Sequence, residues 1–452
     1  MVEIEEKKNR RKLVNKIRKR TAKIGVIGAG YVGLPTVALF AETGFTCVAL
    51  DVKPELIAQL NKGQIKTNEP GLDALVCKNM KNGRLKAVLI DQLDFADIDI
   101  IMIAVQTPLG QKNEPCLQYL KKVLHKIGTA IKPGMLVILI STIPPNTMVK
   151  EVSPSLESMS GFKVEKHFFL SYVPERIAPG KAIKEFTEGT RLVGGFGPNS
   201  TKITVELFKT ICKNLIETDV TTAEIAKLAE NTFRDINIGF ANELALLCEQ
   251  FGTDVTTVVK LANTHPRVNI HNPGPGVGGP CLPKDPYFLT YSASLPIDII
   301  LTARKINDYM FKHMVHLIIK SLENAGKAIK DSVVAILGVA YKSNADDSRL
   351  SPAGPIISGL LKKGATVNVY DPYCNESFGA QKTVSLQDAV RNADCLVVIT
   401  DHNEFYSLNL PKIKSLMKYN PAIVDGRRIV NPATAENLGF FYYGLGFGSY
   451  RE

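Results

Sequence analysis

Short apolar runs bounded by turn residues recur along the 452-residue chain, separated by stretches with an apolar residue every three or four positions. Runs at Lys23–Ile27, 46–50, 98–105, 136–140 and 167–172 have the near-continuous apolar character of parallel strands covered on both faces. A second set at Val333–Leu337, Thr366–Tyr370, 395–399 and 422–424 alternates with helical segments in the same way. Between the sets, Ile225, Leu228, Phe233, Ile236, Phe240, Leu244 and Leu247 recur at intervals of three to five. They predict one amphipathic helix over 222–251, about 45 Å long at ~1.5 Å per residue. A helix of that length exceeds what one domain needs and can pack against a copy of itself. A second helical stretch follows at 297–324. The pattern predicts an α/β protein with two Rossmann-like, doubly wound parallel-sheet domains joined by a long central helix. The expected boundaries are a basic extension over 1–21, a dinucleotide-binding domain over 22–212, a central helical domain over 213–325 and a second Rossmann-like domain over 326–452.

Gly28-Ala29-Gly30-Tyr31-Val32-Gly33 follows the first strand and opens a helix that Gly44 ends; the second strand closes on Asp51. Gly28 permits the tight turn, Gly30 admits the pyrophosphate to the backbone, and Gly33 lets helix and strand pack closely. Tyr31 and Val32, inside the fingerprint, are expected cofactor contacts. Asp51 can accept from both ribose hydroxyls and would repel a 2′-phosphate; with Val52 beside it, NAD is favoured over NADP. Ligands of open α/β sheets sit beyond the carboxyl ends of strands, which places Thr107 and Thr142 near the cofactor. Glu175 follows a proline at another strand exit, where a carboxylate can act as base or simply be a surface acid.

The stretch 274–286 packs four glycines and four prolines into thirteen residues and can be neither helix nor central strand. Within it Cys281, Lys284 and Asp285 bring a thiol, an ammonium and a carboxylate together, the elements of an activated nucleophile; a buried structural cysteine is the alternative. Lys227 and Asn231 stand one helical turn apart, a donor pair suited to an alkoxide, or else a solvated stripe.

Composition narrows the partners. Ten Lys or Arg against three acids give the first 23 residues seven of the eleven net positive charges. The remainder is only mildly basic, compatible with small anions and requiring no nucleic-acid groove. Leu13 and Ile17 share a helical face in the basic segment, which reads as a solvated tail, with contact to an anionic surface as the other reading. No apolar run reaches the ~20 residues of a membrane span, and no signal-peptide core of ~7 apolar residues opens the chain. The eight dispersed cysteines form no CxxC pair, which points to reduced thiols, a cytoplasmic location and no metal site.

With these motifs in order over residues 22–440, the chain resembles the UDP-glucose/GDP-mannose dehydrogenase family. The stretch His265-Pro266-Arg267-Val268-Asn269-Ile270, followed by 273–281, is similar to that of members acting on UDP-N-acetylhexosamines, UDP-N-acetyl-D-mannosamine in particular. The resemblance implies oxidation of a sugar C6 alcohol to a carboxylate with two NAD molecules, in polysaccharide biosynthesis. It implies that Cys281 captures the aldehyde as a thiohemiacetal, later a thioester. It places Lys227 and Asn231 at the alkoxide, Asp285 as the acid that orients water or lysine, Glu175 at thioester hydrolysis and Thr142 near nicotinamide and water. Arg176, Gly278, Lys342 and Arg349 are carried over as contacts of the UDP-sugar. Arg267 corresponds to an arginine that reaches a neighbouring subunit's substrate site, implying a homodimer or higher homo-oligomer.

Two departures from the family pattern stand out. Many members carry a second acid where this chain has Pro179, and Pro280 precedes the cysteine where relatives show His or Ser. UDP-N-acetylglucosamine, UDP-N-acetylgalactosamine and UDP-glucose are the alternative substrates. A two-electron hydroxyacid dehydrogenase of the 6-phosphogluconate type is the alternative class, although it requires neither Cys281 nor the third module.

Overall fold

A computed structural model describes residues 2–65, 69–177 and 180–448, so Pro179 lies outside the described residues. The chain divides into two compact units, Met1–Glu230 with Tyr287–Ser294, and Asn231–Pro286 with Leu295–Glu452.

The first unit is built on eight strands: β1 (Lys23–Ile27), β2 (Thr46–Asp51), β3 (Leu85–Leu89), β4 (Ile100–Ile103), β5 (Leu136–Leu139), β6 (Phe169–Tyr172), β7 (Thr190–Gly195) and β8 (Asn214–Asp219). Their order is β3-β2-β1-β4-β5-β6-β7-β8, parallel except for the antiparallel β6–β7 pair. Chain order reverses between β1 and β4, which opens a crevice at their carboxyl ends. Apolar residues of β4, β5 and β6 are buried on both faces, one face in each of two hydrophobic clusters. Strands β3, β7 and β8 were not expected from the apolar pattern. β8 is a polar edge strand with no fully buried residue, and β7 ends on two glycines.

The basic N-terminal segment is not a solvated tail. It forms the helix Val2–Arg18, beside the helix Pro198–Phe208, with Leu13 and Ile17 buried in the first unit's core. Lys16 reaches Asp99 at 2.6 Å and Arg18 reaches Glu206 at 2.7 Å. Leu13 and Ile17, four residues apart, with Val14 packed beside them, form the apolar stripe that docks the helix.

The second unit carries β9 (Val333–Leu337), β10 (Thr366–Tyr370), β11 (Gln381–Lys382), β12 (Cys395–Val398), β13 (Ala422–Asp425) and β14 (Phe441–Gly444), all parallel in the order β11-β10-β9-β12-β13-β14. The aromatic, glycine-rich tail therefore supplies the edge strand β14. Beyond it, Gly446 N–H donates to Glu249 at 2.7 Å.

The long helix is Val220–Gln250, in the first unit through Glu230 and in the second from Asn231. Its predicted apolar stripe is mostly outward. Leu228 is buried, but Phe233, Phe240 and Leu247 are 63, 51 and 42% exposed. In the second unit the buried face consists of Asp235, Gly239, Ala241, Asn242, Ala245 and Cys248, small or polar residues that periodicity of large apolar side chains cannot reveal.

Candidate active site

In the first unit each fingerprint glycine meets a different physical demand. Gly28 has φ +96°, and a methyl there would stand 2.4 Å from the Ala104 carbonyl oxygen. A methyl on Gly33 would stand 1.8 Å from the Gly28 carbonyl oxygen, so helix and turn touch through it. Gly30 has nothing within 4 Å of the equivalent position, an open approach to its backbone. Asp51 ends β2; its Oδ2 accepts from Ala29 N–H at 2.9 Å, and its Oδ1 from Val52 and Lys53 N–H at 2.8 and 3.1 Å. The acid is thus fixed against the glycine turn it serves. These residues fit a dinucleotide, the pyrophosphate over Gly30 and the ribose at Asp51.

Thr107 and Thr142 belong to adjacent loops after β4 and β5. The Thr107 hydroxyl donates to the Thr142 carbonyl at 2.7 Å, locking the two loops together. Four residues beyond Thr142, the backbone is gripped by Glu224 of the long helix. Its Oε2 accepts from Asn146 N–H at 2.6 Å, and its Oε1 from Met148 N–H at 2.8 Å. Burial pushes the Glu224 carboxyl up to about 7 in spite of those two amides. Lys227, 5% exposed, lies three residues further along that helix, so it is not part of a solvated stripe.

Glu175 is no free surface acid. Both oxygens face Arg191, at 3.2 and 3.3 Å, and Oε1 also accepts from Arg176 and Ile177 N–H at 2.7 and 2.9 Å. Arg176 turns to Glu230, at 2.6 Å, and donates to the Thr190 carbonyl at 2.8 Å. Glu175, Arg176, Arg191 and Glu230 line a cleft of about 460 Å³.

In the second unit the cysteine loop is held along its length. Gly274 N–H donates to Asn242 Oδ1 at 2.9 Å, and Gly276, at φ +129°, lies against the Phe311 ring. Gly278 faces the Leu350 carbonyl, and Gly279 N–H donates to the Arg349 carbonyl at 3.0 Å. The Cys281 carbonyl then accepts from Lys284 and Asp285 N–H at 3.0 and 2.9 Å. Asp285, fully buried, accepts from Asn231 Nδ2 at 2.7 Å. Of the eight cysteines only Cys281 is exposed. Burial drives the thiols of Cys212 and Cys374 up to about 11 and 12, which makes them inert.

The turn after β9 repeats the first unit's geometry with only the first of its glycines. Gly338 has φ +85°, and Asp371 at the end of β10 accepts from Val339 and Ala340 N–H at 2.7 and 3.1 Å. Burial opposes ionisation there, but the His402 ring and the Cys374, Val339 and Tyr373 amides hold the Asp371 carboxyl down to about 2. That carboxylate is spent on the protein itself. Lys342 and Arg349 are exposed, Arg349 clamped by Asp347 at 2.6 Å, and Tyr341 lies against Gly279. Burial, then the charges of Asp347 and Cys281, push the Tyr341 phenol up to about 12. Arg267 is exposed on its own loop.

Arg191, Glu224, Asn242 and Tyr341 were not picked out from the sequence. None belongs to a motif, and each acquires its place through a partner 16 or more positions away.

The Rossmann turn with its acid gives the first unit the form of a dinucleotide-binding domain of the dehydrogenase class. The chain belongs to the UDP-glucose/GDP-mannose dehydrogenase family: residues 22–212 match its NAD binding domain, 221–309 its central domain and 335–432 its UDP binding domain. It is 39% identical over 428 residues to the UDP-N-acetyl-D-mannosamine dehydrogenase of Pyrococcus horikoshii, covering 94% of this chain and 99% of that protein. The solved structure of the Pyrococcus horikoshii UDP-D-ManNAc dehydrogenase matches with a TM-score of 0.89, at 38% identity over 94% of this chain and 99% of that one. The NDP-N-acetyl-D-galactosaminuronic acid dehydrogenase of Methanosarcina mazei matches with a TM-score of 0.84, at 36% identity over 97% and 98%. The cofactor is NAD, and the activity is that of a nucleotide-sugar dehydrogenase. Among the described residues no helix is long and apolar enough to cross a membrane.

Proposed function

We propose that the chain oxidises the C6 hydroxyl of UDP-N-acetyl-D-mannosamine to the uronate in two two-electron steps. The observation that carries this reading is the single exposed thiol, Cys281, at the end of a loop clamped by hydrogen bonds and close contacts, in a chain similar over 94% of its length to UDP-N-acetyl-D-mannosamine dehydrogenases. NAD, when bound, supplies the hydride acceptor for both oxidations. Lys227 and Asn231 donate to the C6 oxygen as it loses its proton and C6 becomes an aldehyde carbon. The Cys281 thiolate adds to that carbon, forming a C–S bond and a thiohemiacetal alkoxide; loss of a second hydride leaves a thioester. Water attacks the thioester, the C–S bond breaks, and the carboxylate and thiol are released. The balance is one alcohol and one water to one carboxylate, two hydrides and three protons. Asp285, oriented by Asn231, directs the lysine or the water. Thr142 borders the nicotinamide, and Glu175, held in place by Arg191, serves hydrolysis.

In this reading Arg176, Gly278, Lys342 and Arg349 contact the UDP-sugar, and Arg267 reaches a second copy's site. The exposed Phe233, Phe240 and Leu247 support a homodimer, and eight unbridged thiols support a cytoplasmic place. The match of 335–432 to a UDP binding domain disfavours a 6-phosphogluconate-type hydroxyacid dehydrogenase.

The test is the NADH formed per sugar across UDP-N-acetylmannosamine, UDP-N-acetylglucosamine, UDP-N-acetylgalactosamine and UDP-glucose. Two NADH per UDP-N-acetylmannosamine, with that sugar the best substrate, is the expected result. Cys281→Ser should bind NAD and sugar but lose steady-state turnover. One NADH per sugar, or undiminished turnover in the serine variant, overturns the covalent route.

A further inference from the structure

The second unit holds a buried polar chain that none of the roles above uses. Arg304 Nη1 donates to Asp235 Oδ1. Asn307 Nδ2 donates to both Oδ1 and the backbone carbonyl of Asp235, each at 2.9 Å. Asn242 Nδ2 donates to Asn307 Oδ1 at 2.8 Å, and Asn242 Oδ1 receives Gly274 N–H at 2.9 Å. Asp235, Asn242 and Asn307 are fully buried, and Arg304 is 1% exposed.

The direction of the chain is forced. A backbone N–H can only donate, so Asn242 must present its oxygen to Gly274 and its amide nitrogen to Asn307. Asn307 must then present its own nitrogen to Asp235, whose backbone carbonyl can only accept. Flipping either amide would set donor against donor between fully buried groups.

The same helix also holds the other end of the cysteine loop. Asn231, which binds Asp285, and Asn242, which binds Gly274, are eleven residues and three turns apart, so both lie on one helix face about 16 Å apart. The loop between Gly274 and Asp285 is also eleven residues, which extended would span about 36 Å. It is an arch tied down at both feet and braced between them at Gly276, Gly278 and Gly279, with Cys281 near one foot.

We propose that Asn242, oriented through Asn307 by the Asp235–Arg304 pair, is a positioning residue that fixes where the Cys281 thiol stands. This rests on Cys281 being the nucleophile. Without the Asn242 oxygen, Gly274 N–H is orphaned and the far foot of the arch lifts. The thiol is then displaced while the dinucleotide turn of the first unit keeps its own bonds.

Asn242→Leu keeps the volume and removes both bonds. Its kcat should fall roughly 10- to 100-fold with KM for NAD unchanged, because small displacements of a reacting group are that costly. Alkylation of Cys281 by iodoacetamide, read by mass spectrometry at that peptide, should change rate as well. A merely structural role would lower the melting temperature but leave kcat and alkylation at 25 °C at parental values, and that result overturns the proposal. Should Asn242→Leu not fold, Asn307→Ser, which frees Asn242 to rotate, must show the same split in smaller measure; parental kcat there is equally fatal. If Cys281→Ser itself turns over normally, the nucleophile assignment has failed instead, whatever the asparagine variants do.

Discussion

Arg191 lies across Glu175 in a buried pair, its guanidinium carbon 3.4 Å from the centre of the Phe186 ring. Only 4% and 9% of the two side chains are exposed, so neither charge has water to fall back on. Removing one partner of such a pair costs about 3–5 kcal/mol, chiefly because the survivor is stranded. Arg191→Ala should therefore lower the urea midpoint strongly. Arg191→Lys, which keeps the charge but loses the fork, should fall between. A variant as stable as the parent would mean that Glu175 had found another partner.

The N-terminal helix leads to a second expectation. Ile17 is fully buried, and truncating such a side chain costs about 2–5 kcal/mol. Ile17→Ala should lower the melting temperature, and removing residues 2–18 should lower it further by uncovering the apolar surface beneath Leu13 and Ile17. Calorimetry of the two proteins decides it. Equal melting temperatures would return the segment to the status of an appendage.

What the sequence disclosed follows from the range of the interactions involved. β1, β2 and the glycines between them were legible because turn, phosphate approach and helix packing are set within 30 residues. Both long helices and the strands of apolar residues followed from local period alone. The docking of Val2–Arg18 was misread because charge density outweighed a short apolar stripe. The burial of the long helix was also inverted in part: its large apolar residues Phe233 and Phe240 face outward, and Asp235 and Asn242 face inward. Buried polar residues are fixed by distant partners such as Arg304 and Asn307, and no spacing rule announces them.

Glu224 carries a pH dependence of definite sign. Its carboxyl is raised from 4.5 to about 7, so the folded state holds a proton that the unfolded state releases above 4.5. The stabilising contribution is complete below about 4.5 and is lost as pH rises through about 7. Glu224→Gln cannot titrate, so the stability of parent minus variant should shrink between pH 5 and pH 8. Asp235, raised to about 6 by burial, is present in both proteins and cancels in the difference. Urea titrations at pH 5, 6.5 and 8 measure it, and a gap that widens with pH would contradict the sign.

Phe233, Phe240 and Leu247 repeat every seven residues along one helix face, each more than 40% exposed. Two large aromatics and a leucine in line, with Asp235 and Asn242 of the same helix turned inward, form a stripe that water does not favour. In a two-fold pairing each residue meets its own patch on the second copy, so one substitution acts twice. Phe240→Glu would set two carboxylates against that apolar seam. Sedimentation should give a dimer or larger species for the parent and a smaller mass for Phe240→Glu. The melting temperature, extrapolated to low protein concentration, should be nearly the same for both, because the second unit's core does not use this ring. A monomeric parent at working concentrations would end the pairing argument.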